Sequence, residues 1–230
     1  MDEKLPGPRM GRPAAVPGER RTRDRILDAA INLFARDGFD QTPVRCIAAA
    51  VGLTEGAVYR HFPGKEAILG AILAYAEECV YAPLPVETGL GGDGASVFEG
   101  LLAPLPAIIE ANPVVVKIMR ILYIEMFHNE KVRRFFRAEF MERADDHLAG
   151  LFGRCIELGT IRDCDPRELA SVFNAFRSEW AFKAYILDGE AGVDPEAARD
   201  DLRAAIRFFE RMLCPKECAD DTEIDRRTSP

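Results

Sequence analysis

No apolar run in this 230-residue chain approaches the roughly 20 residues that a helix needs to cross a bilayer, so a membrane protein is not expected. The first 25 residues carry basic side chains but no apolar stretch of the kind a secretory leader requires, and a cytoplasmic protein is expected. Cysteines stand at 46, 79, 155, 164, 214 and 218, yet no two have the C-x-x-C spacing, and Cys214 and Cys218 have no histidine nearby. In a reducing compartment they read as plain thiols rather than disulfides or zinc ligands. There is no nucleophile elbow, no Gly-rich phosphate loop and no metal-ligand signature, so neither an enzyme nor a cofactor is indicated. Runs of alternating β-branched residues with hairpin turns are missing too, which argues against sheet. No internal repeat is evident.

What remains is an ordinary globular composition, 48% hydrophobic and 30% charged, with an uneven charge distribution. Residues 1–70 hold 11 Lys and Arg against 9 Asp and Glu, and the rest holds 19 against 29. The net charge of −8 argues against nonspecific coating of a polyanion, while a mildly basic N-terminal part on an acidic body fits a localised nucleic-acid contact.

Pro6, Pro8, Pro13 and Pro17 break any helix in residues 1–21, which read as a flexible basic arm. Its Gly11-Arg12-Pro13 resembles the core of minor-groove AT-hooks. Between this arm and a polar tail over 215–230 the apolar pattern is helical nearly throughout, and an all-α fold follows. The first helix covers about Thr22 to Asp37, with Ile26, Ala30, Leu33 and Phe34 on one face and Gly38 as a left-handed cap. A second opens with Thr42 as N-cap and Pro43 at its first position and closes at Gly52. The third is capped by Thr54 and ends before Pro63, and a fourth runs from Lys65 to about Val80. Residues 83–95, with two prolines and four glycines, form the clearest break. Longer helices are expected over 95–111, 113–127, 130–158, 166–188 and 195–213.

Two short helices joined by a tight turn at Val51-Gly52-Leu53 make a helix-turn-helix, whose second helix lies in the DNA major groove in the DNA-binding version. In this pattern Leu53, Val58 and Phe62 face inward, and Thr54, Glu55, Ala57, Tyr59 and His61 face out. The run from Thr22 to Leu69 resembles the DNA-binding domain of the TetR family of bacterial transcription regulators. The likeness is carried by Ala29-Ala30, Leu33-Phe34, Gly38-Phe39, Ile47-Ala48 and Gly52, then by Tyr59, His61, Phe62 and Lys65. It implies an N-terminal helix-turn-helix domain over 22–69 and a helical ligand-binding and dimerisation domain over 70–214. It also implies a homodimer, usually a repressor, that leaves a near-palindromic operator when a small molecule binds. An activator or dual regulator, and a constitutive DNA-binding protein without effector, remain the alternatives. Carried onto this chain, the resemblance puts Thr42 and Arg45 against phosphate and a base edge, and Tyr59 and Lys65 against phosphate. Thr54, Gly56, Ala57 and His61 lie on the recognition helix, where Gly56 admits close backbone approach and the Ala57 methyl meets thymine.

The C-terminal part is rich in large adaptable side chains. Met119, Tyr123 and Phe127 repeat at i, i+4, i+8, and with Phe140, Phe173 and Arg177 they are the candidate lining of an apolar or amphipathic effector site. Glu125 with His128, and Asp145 and Asp146 with His147, have spacings that a metal could use, but no third ligand is fixed, and they read as solvated faces. Leu169, Val172, Phe173, Phe176 and Trp180 form one apolar stripe and Leu202, Ala205, Ile206, Phe209, Met212 and Leu213 another. With the resemblance, they imply a four-helix dimer interface. Ligand binding would then act by moving the fourth helix, Lys65 to Ala82.

Overall fold

The computed structural model describes residues 22–80, 96–187 and 195–215, and within them every regular element is helical. The expected arm, the 83–95 break and most of the tail lie outside the described residues. Helices α1 (Thr22–Asp37), α2 (Val44–Ala50), α3 (Glu55–Tyr59) and α4 (Lys65–Val80) follow the sequence punctuation closely. Gly38, at φ +85°, closes α1 as expected, its N–H donating to the Phe34 carbonyl at 3.0 Å. Thr54 caps α3, its hydroxyl accepting from the Ala57 N–H at 3.3 Å.

Thr42 departs from the expected capping role. Pro43 occupies the cap position of α2 and no side chain caps that helix. The Thr42 hydroxyl instead donates back to the Gly38 carbonyl at 2.8 Å. The left-handed glycine aims that carbonyl into the corner, and Thr42, 1% exposed, has its hydroxyl satisfied there, since an unpaired buried hydroxyl is costly.

Beyond the break come α5 (Val97–Leu102), α6 (Leu105–Ala111), α7 (Pro113–Glu125) and α8 (Glu130–Phe136). A single helix was expected over 95–111. Pro104 divides it, because proline has no N–H for the helical ladder and its ring clashes with the preceding turn. After α8 a π-helical segment, Arg137–Arg143, leads directly into α9 (Ala144–Glu157), so 130–157 is one continuous rod. Helix α10 (Pro166–Ala181) likewise runs on as a π-helical segment, Phe182–Leu187, and α11 (Pro195–Leu213) completes the described chain.

Side-chain packing produces two cores. One gathers Ile26, Phe34, Ile47, Val58, Phe62 and Ile72 of α1 to α4 and the turns between them, together with Ile118, Ile121 and Leu122 of α7 and Val132 of α8. The other joins Phe98 and Leu102 of α5 to Phe152 of α9, Phe173 and Trp180 of α10, and Leu202 and Phe209 of α11. Phe98 stacks on Phe209 with ring centroids 5.2 Å apart, and the Trp180 indole N–H donates to the Ala198 carbonyl at 2.9 Å. The division therefore does not follow chain order, since α7 and the start of α8 are built into the helix-turn-helix core. No single described helix is long and apolar enough to cross a membrane. The pair Val97–Ala111 and Pro113–Glu125, bent by 96°, passes only when taken together, and its Phe98, Leu102, Ile118 and Leu122 are buried.

Candidate nucleic-acid interface and effector cavity

The turn between α2 and α3 is fixed by its own backbone. Gly52 sits at φ +69°, a conformation that costs an L side chain strain. The Leu53 N–H donates to the Ala48 carbonyl at 2.9 Å. Arg25 reaches over from α1 and donates to the Val51 carbonyl at 2.9 Å. This leaves one outer face carrying Arg45, Thr54, Glu55, Gly56, Tyr59 and His61, all exposed. A Cβ at Gly56 would meet nothing within 4 Å, so the first turn of α3 is open to close approach.

Two residues expected on that face are elsewhere. Thr42 is buried in the corner after α1, and Ala57 is 8% exposed, packed inward beside Val58. Ala57 falls three residues after the cap, where the helix has turned back toward the core. Sequence reasoning missed Arg60. It is exposed, stands between Tyr59 and His61, and could have been noticed as a basic residue in that run. Arg45 is exposed as well, and the Arg23 guanidinium lies 4.6 Å from the Phe62 ring centroid.

Lys65 is engaged within the protein. Its Nζ donates to the Phe39 carbonyl at 2.7 Å and to the Asp40 carbonyl at 3.2 Å, and lies 4.3 Å from the Phe39 ring centroid. The other side of Phe39 is held by Glu125, at the end of α7. Glu125 Oε1 accepts from the Phe39 N–H at 2.9 Å. Glu125 was expected on a solvated face, yet it is only 5% exposed, because α7 lies against α1 and turns this side chain into the corner.

A cavity of about 310 Å³ opens between α7, the two π-helical segments and α10, walled by Tyr123, Phe136, Phe140, Met141 and Phe182, with Asp145, Asn174 and Glu179 among its polar lining. The Tyr123 ring lies 5.5 Å from Phe136 and 4.9 Å from Phe182, and burial pushes its phenol above the usual tyrosine range. Asn174 donates to the Phe140 carbonyl at 3.0 Å and to Asp145 Oδ1 at 2.8 Å, and accepts from Arg177 at 2.9 Å.

Of the six candidate lining residues, Tyr123 and Phe140 face this cavity, and Arg177 touches it through Asn174. Met119 packs half-buried on the first core, and Phe173 is fully buried in the second. Phe127 is 71% exposed. Helix α7 ends at Glu125, so the i, i+4, i+8 periodicity fails before Phe127 is reached.

The outer side of α10 and α11 forms an apolar groove of about 400 Å³ lined by Val172, Phe176, Ala204, Phe208 and Phe209. Val172 and Phe208 are 62% and 52% exposed, and Met212 extends the strip at 53%.

Comparison with known proteins gives two family matches. Residues 26–72 match the bacterial regulatory proteins of the tetR family, and residues 108–213 match the C-terminal domain of AefR-like transcriptional repressors. The nucleoid occlusion factor SlmA of Aliivibrio fischeri is 31% identical over 120 residues, 52% of this chain and 61% of that protein. The HTH-type transcriptional regulator SrpR of Pseudomonas putida is 45% identical over 93 residues, 40% of this chain and 43% of that protein. The chain thus spans less than two thirds of the length of either relative. Among solved structures, one from Mesorhizobium loti, described as a TetR-family transcriptional regulator, superposes with a TM-score of 0.64 at 21% identity, over 84% of this chain and 96% of that one.

Proposed function

The chain belongs to the TetR family of bacterial regulatory proteins, and from that premise we propose that it is a homodimeric repressor that leaves a near-palindromic operator when a small molecule occupies the α7–α10 cavity. The observation that carries the DNA-binding reading is the outer face of α2 and α3. Arg45, Thr54, Tyr59 and His61 are exposed there, and a Cβ at Gly56 would meet open space. Arg45 is suited to a bidentate guanine contact, and Tyr59 to a phosphate oxygen.

The dimer would form through the α10 and α11 groove, where a second copy would cover Val172, Phe208 and Met212. A two-fold pair sets its recognition helices about 34–36 Å apart and reads a near-palindrome. The effector is an apolar or amphipathic molecule. The rings of Tyr123, Phe136, Phe140 and Phe182 supply an apolar part of the wall, and the lining carboxylates Asp145 and Glu179 favour a neutral or cationic polar end over an anionic one. Release follows if the molecule binds the DNA-incompetent state more tightly than the competent one.

The test is selection of bound duplexes from a random-sequence pool by the purified protein at near-physiological salt. The expected result is one enriched palindrome. A folded, dimeric and ligand-free protein that enriches no sequence overturns the reading.

A further inference from the structure

We infer that Glu125 is the positioning residue through which the cavity sets the posture of the helix-turn-helix. The inference rests on the effector-cavity reading above and names how that site would reach the DNA face. Helix α7 carries both ends of the connection. Tyr123 walls the cavity, and two residues later Glu125 closes the helix and accepts the Phe39 N–H at 2.9 Å. Phe39 lies in the corner between α1 and α2. The left-handed Gly38, at φ +85°, turns the Phe39 N–H away from α1 and toward α7. The same residue's carbonyl is held from the start of α4 by Lys65 at 2.7 Å. The Thr42 hydroxyl, at 2.8 Å from the Gly38 carbonyl, ties the corner to the entry of α2, which bears Arg45.

The contact has two distinct states rather than a graded response. A carboxylate that is 5% exposed has few alternative partners, and leaving both it and a buried amide unpaired is costly. Glu125 therefore either holds Phe39 or moves out of the corner altogether. Packed interfaces of this kind convert small displacements into a switch. A molecule that shifts Tyr123, and α7 with it, draws Glu125 from Phe39 and frees the α1–α2 corner to rotate. The connection thus runs through α7 onto α1, in addition to any motion of α4.

The test needs no effector, because a side chain can fill the cavity. Ser178→Phe adds a ring to the cavity lining. Four proteins are compared on the duplex selected by the wild type: wild type, Ser178→Phe, Glu125→Leu and the double variant. Ser178→Phe is expected to weaken binding at least tenfold in the wild-type background and less than twofold in the Glu125→Leu background. Glu125→Gln, which keeps an oxygen acceptor for the Phe39 N–H, is expected to restore the tenfold response. An equal loss in both backgrounds overturns the inference, and so does a filled cavity that leaves operator binding unchanged. In either case the wild type's own binding to its selected duplex leaves the regulator reading standing.

Should Glu125→Leu fail to fold, amide hydrogen exchange in Ser178→Phe decides. The Phe39 N–H is expected to exchange at least tenfold faster than in the wild type, with the Ala57 N–H, held by Thr54, unchanged. Unaltered protection at Phe39 overturns the inference.

Discussion

Gly56→Ala separates folding from DNA binding at one position. Gly56 is the second residue of α3, and a Cβ built there meets nothing within 4 Å. Alanine is preferred over glycine in a helix interior by up to about 1 kcal/mol, much of it through restriction of the unfolded chain. In the first turn of a five-residue helix the gain is expected near the low end, about 0.5 kcal/mol, or roughly 1–2 °C in a domain of this size. Operator binding should move the other way. The added methyl occupies the space through which the helix start approaches the bases, and a loss of at least tenfold, about 1.4 kcal/mol, is expected. Thermal unfolding and fluorescence anisotropy on the selected duplex read the two effects separately. Gly52→Ala is the control. It also meets nothing within 4 Å, but its φ of +69° places a side chain in the left-handed region at a cost of about 1–2 kcal/mol. If Gly56→Ala is more stable and binds DNA as well as the wild type, the first turn of α3 does not approach DNA closely. If it is less stable, the argument from open space is wrong.

Tyr59→Phe should weaken binding to matched and mismatched duplexes by the same factor, whereas Arg45→Ala should lose about 1–3 kcal/mol of discrimination at one base pair. Binding curves on a mismatch series check both, and the reverse pattern exchanges the two roles. Phe208→Glu combined with Met212→Glu should give monomers in sedimentation velocity with helical content unchanged; a persistent dimer removes α10 and α11 as its interface. Burial raises the thiols of Cys155, Cys164 and Cys214 above 9.0 and the phenols of Tyr123 and Tyr185 above 10.0. The folded state therefore keeps these protons to higher pH than the unfolded chain does. Their contribution to stability is complete below about pH 9 and is lost as pH rises through the raised values. Urea midpoints measured from pH 7 to 11 should fall along an alkaline limb that Tyr123→Phe makes shallower, and a flat profile contradicts it.

Helix existence was legible because it is written locally. Asp165 before Pro166 announces α10, and the aspartate does accept from the Arg167 and Glu168 N–H groups. Asn129 does the same for α8, accepting from Lys131 and Val132. Pro104 was missed as a breaker because the apolar period continues across it from Leu102 to Leu105, so side-chain pattern and backbone chemistry gave opposite signals. The two π-helical segments have no sequence signature at all. Each nevertheless delivers wall residues to the cavity, Phe140 and Met141 from one and Phe182 from the other, in keeping with the tendency of such segments to occur at functional sites.

Exposure on the outer side of α2 and α3 depends mainly on helical phase, so Arg45, Thr54, Gly56, Tyr59 and His61 are exposed as the sequence suggests, while Ala57 is buried and Arg60 was overlooked. The corner after α1 could not be read from phase, because each of its bonds joins distant segments. Lys65 reaches back 26 residues to Phe39, and Glu125 reaches across 86. One signal was nevertheless available. A left-handed glycine that closes a buried helix leaves the following amide without a carbonyl four residues back, and every buried N–H needs an acceptor. Glu125 is an acid set between Leu122 and Met126 at the end of an apolar helix, a position where a charge is seldom buried without a partner. Backbone donor accounting at Gly38-Phe39 and the misplaced carboxylate are two halves of one contact. Neither half identifies the other until the fold brings α7 against α1.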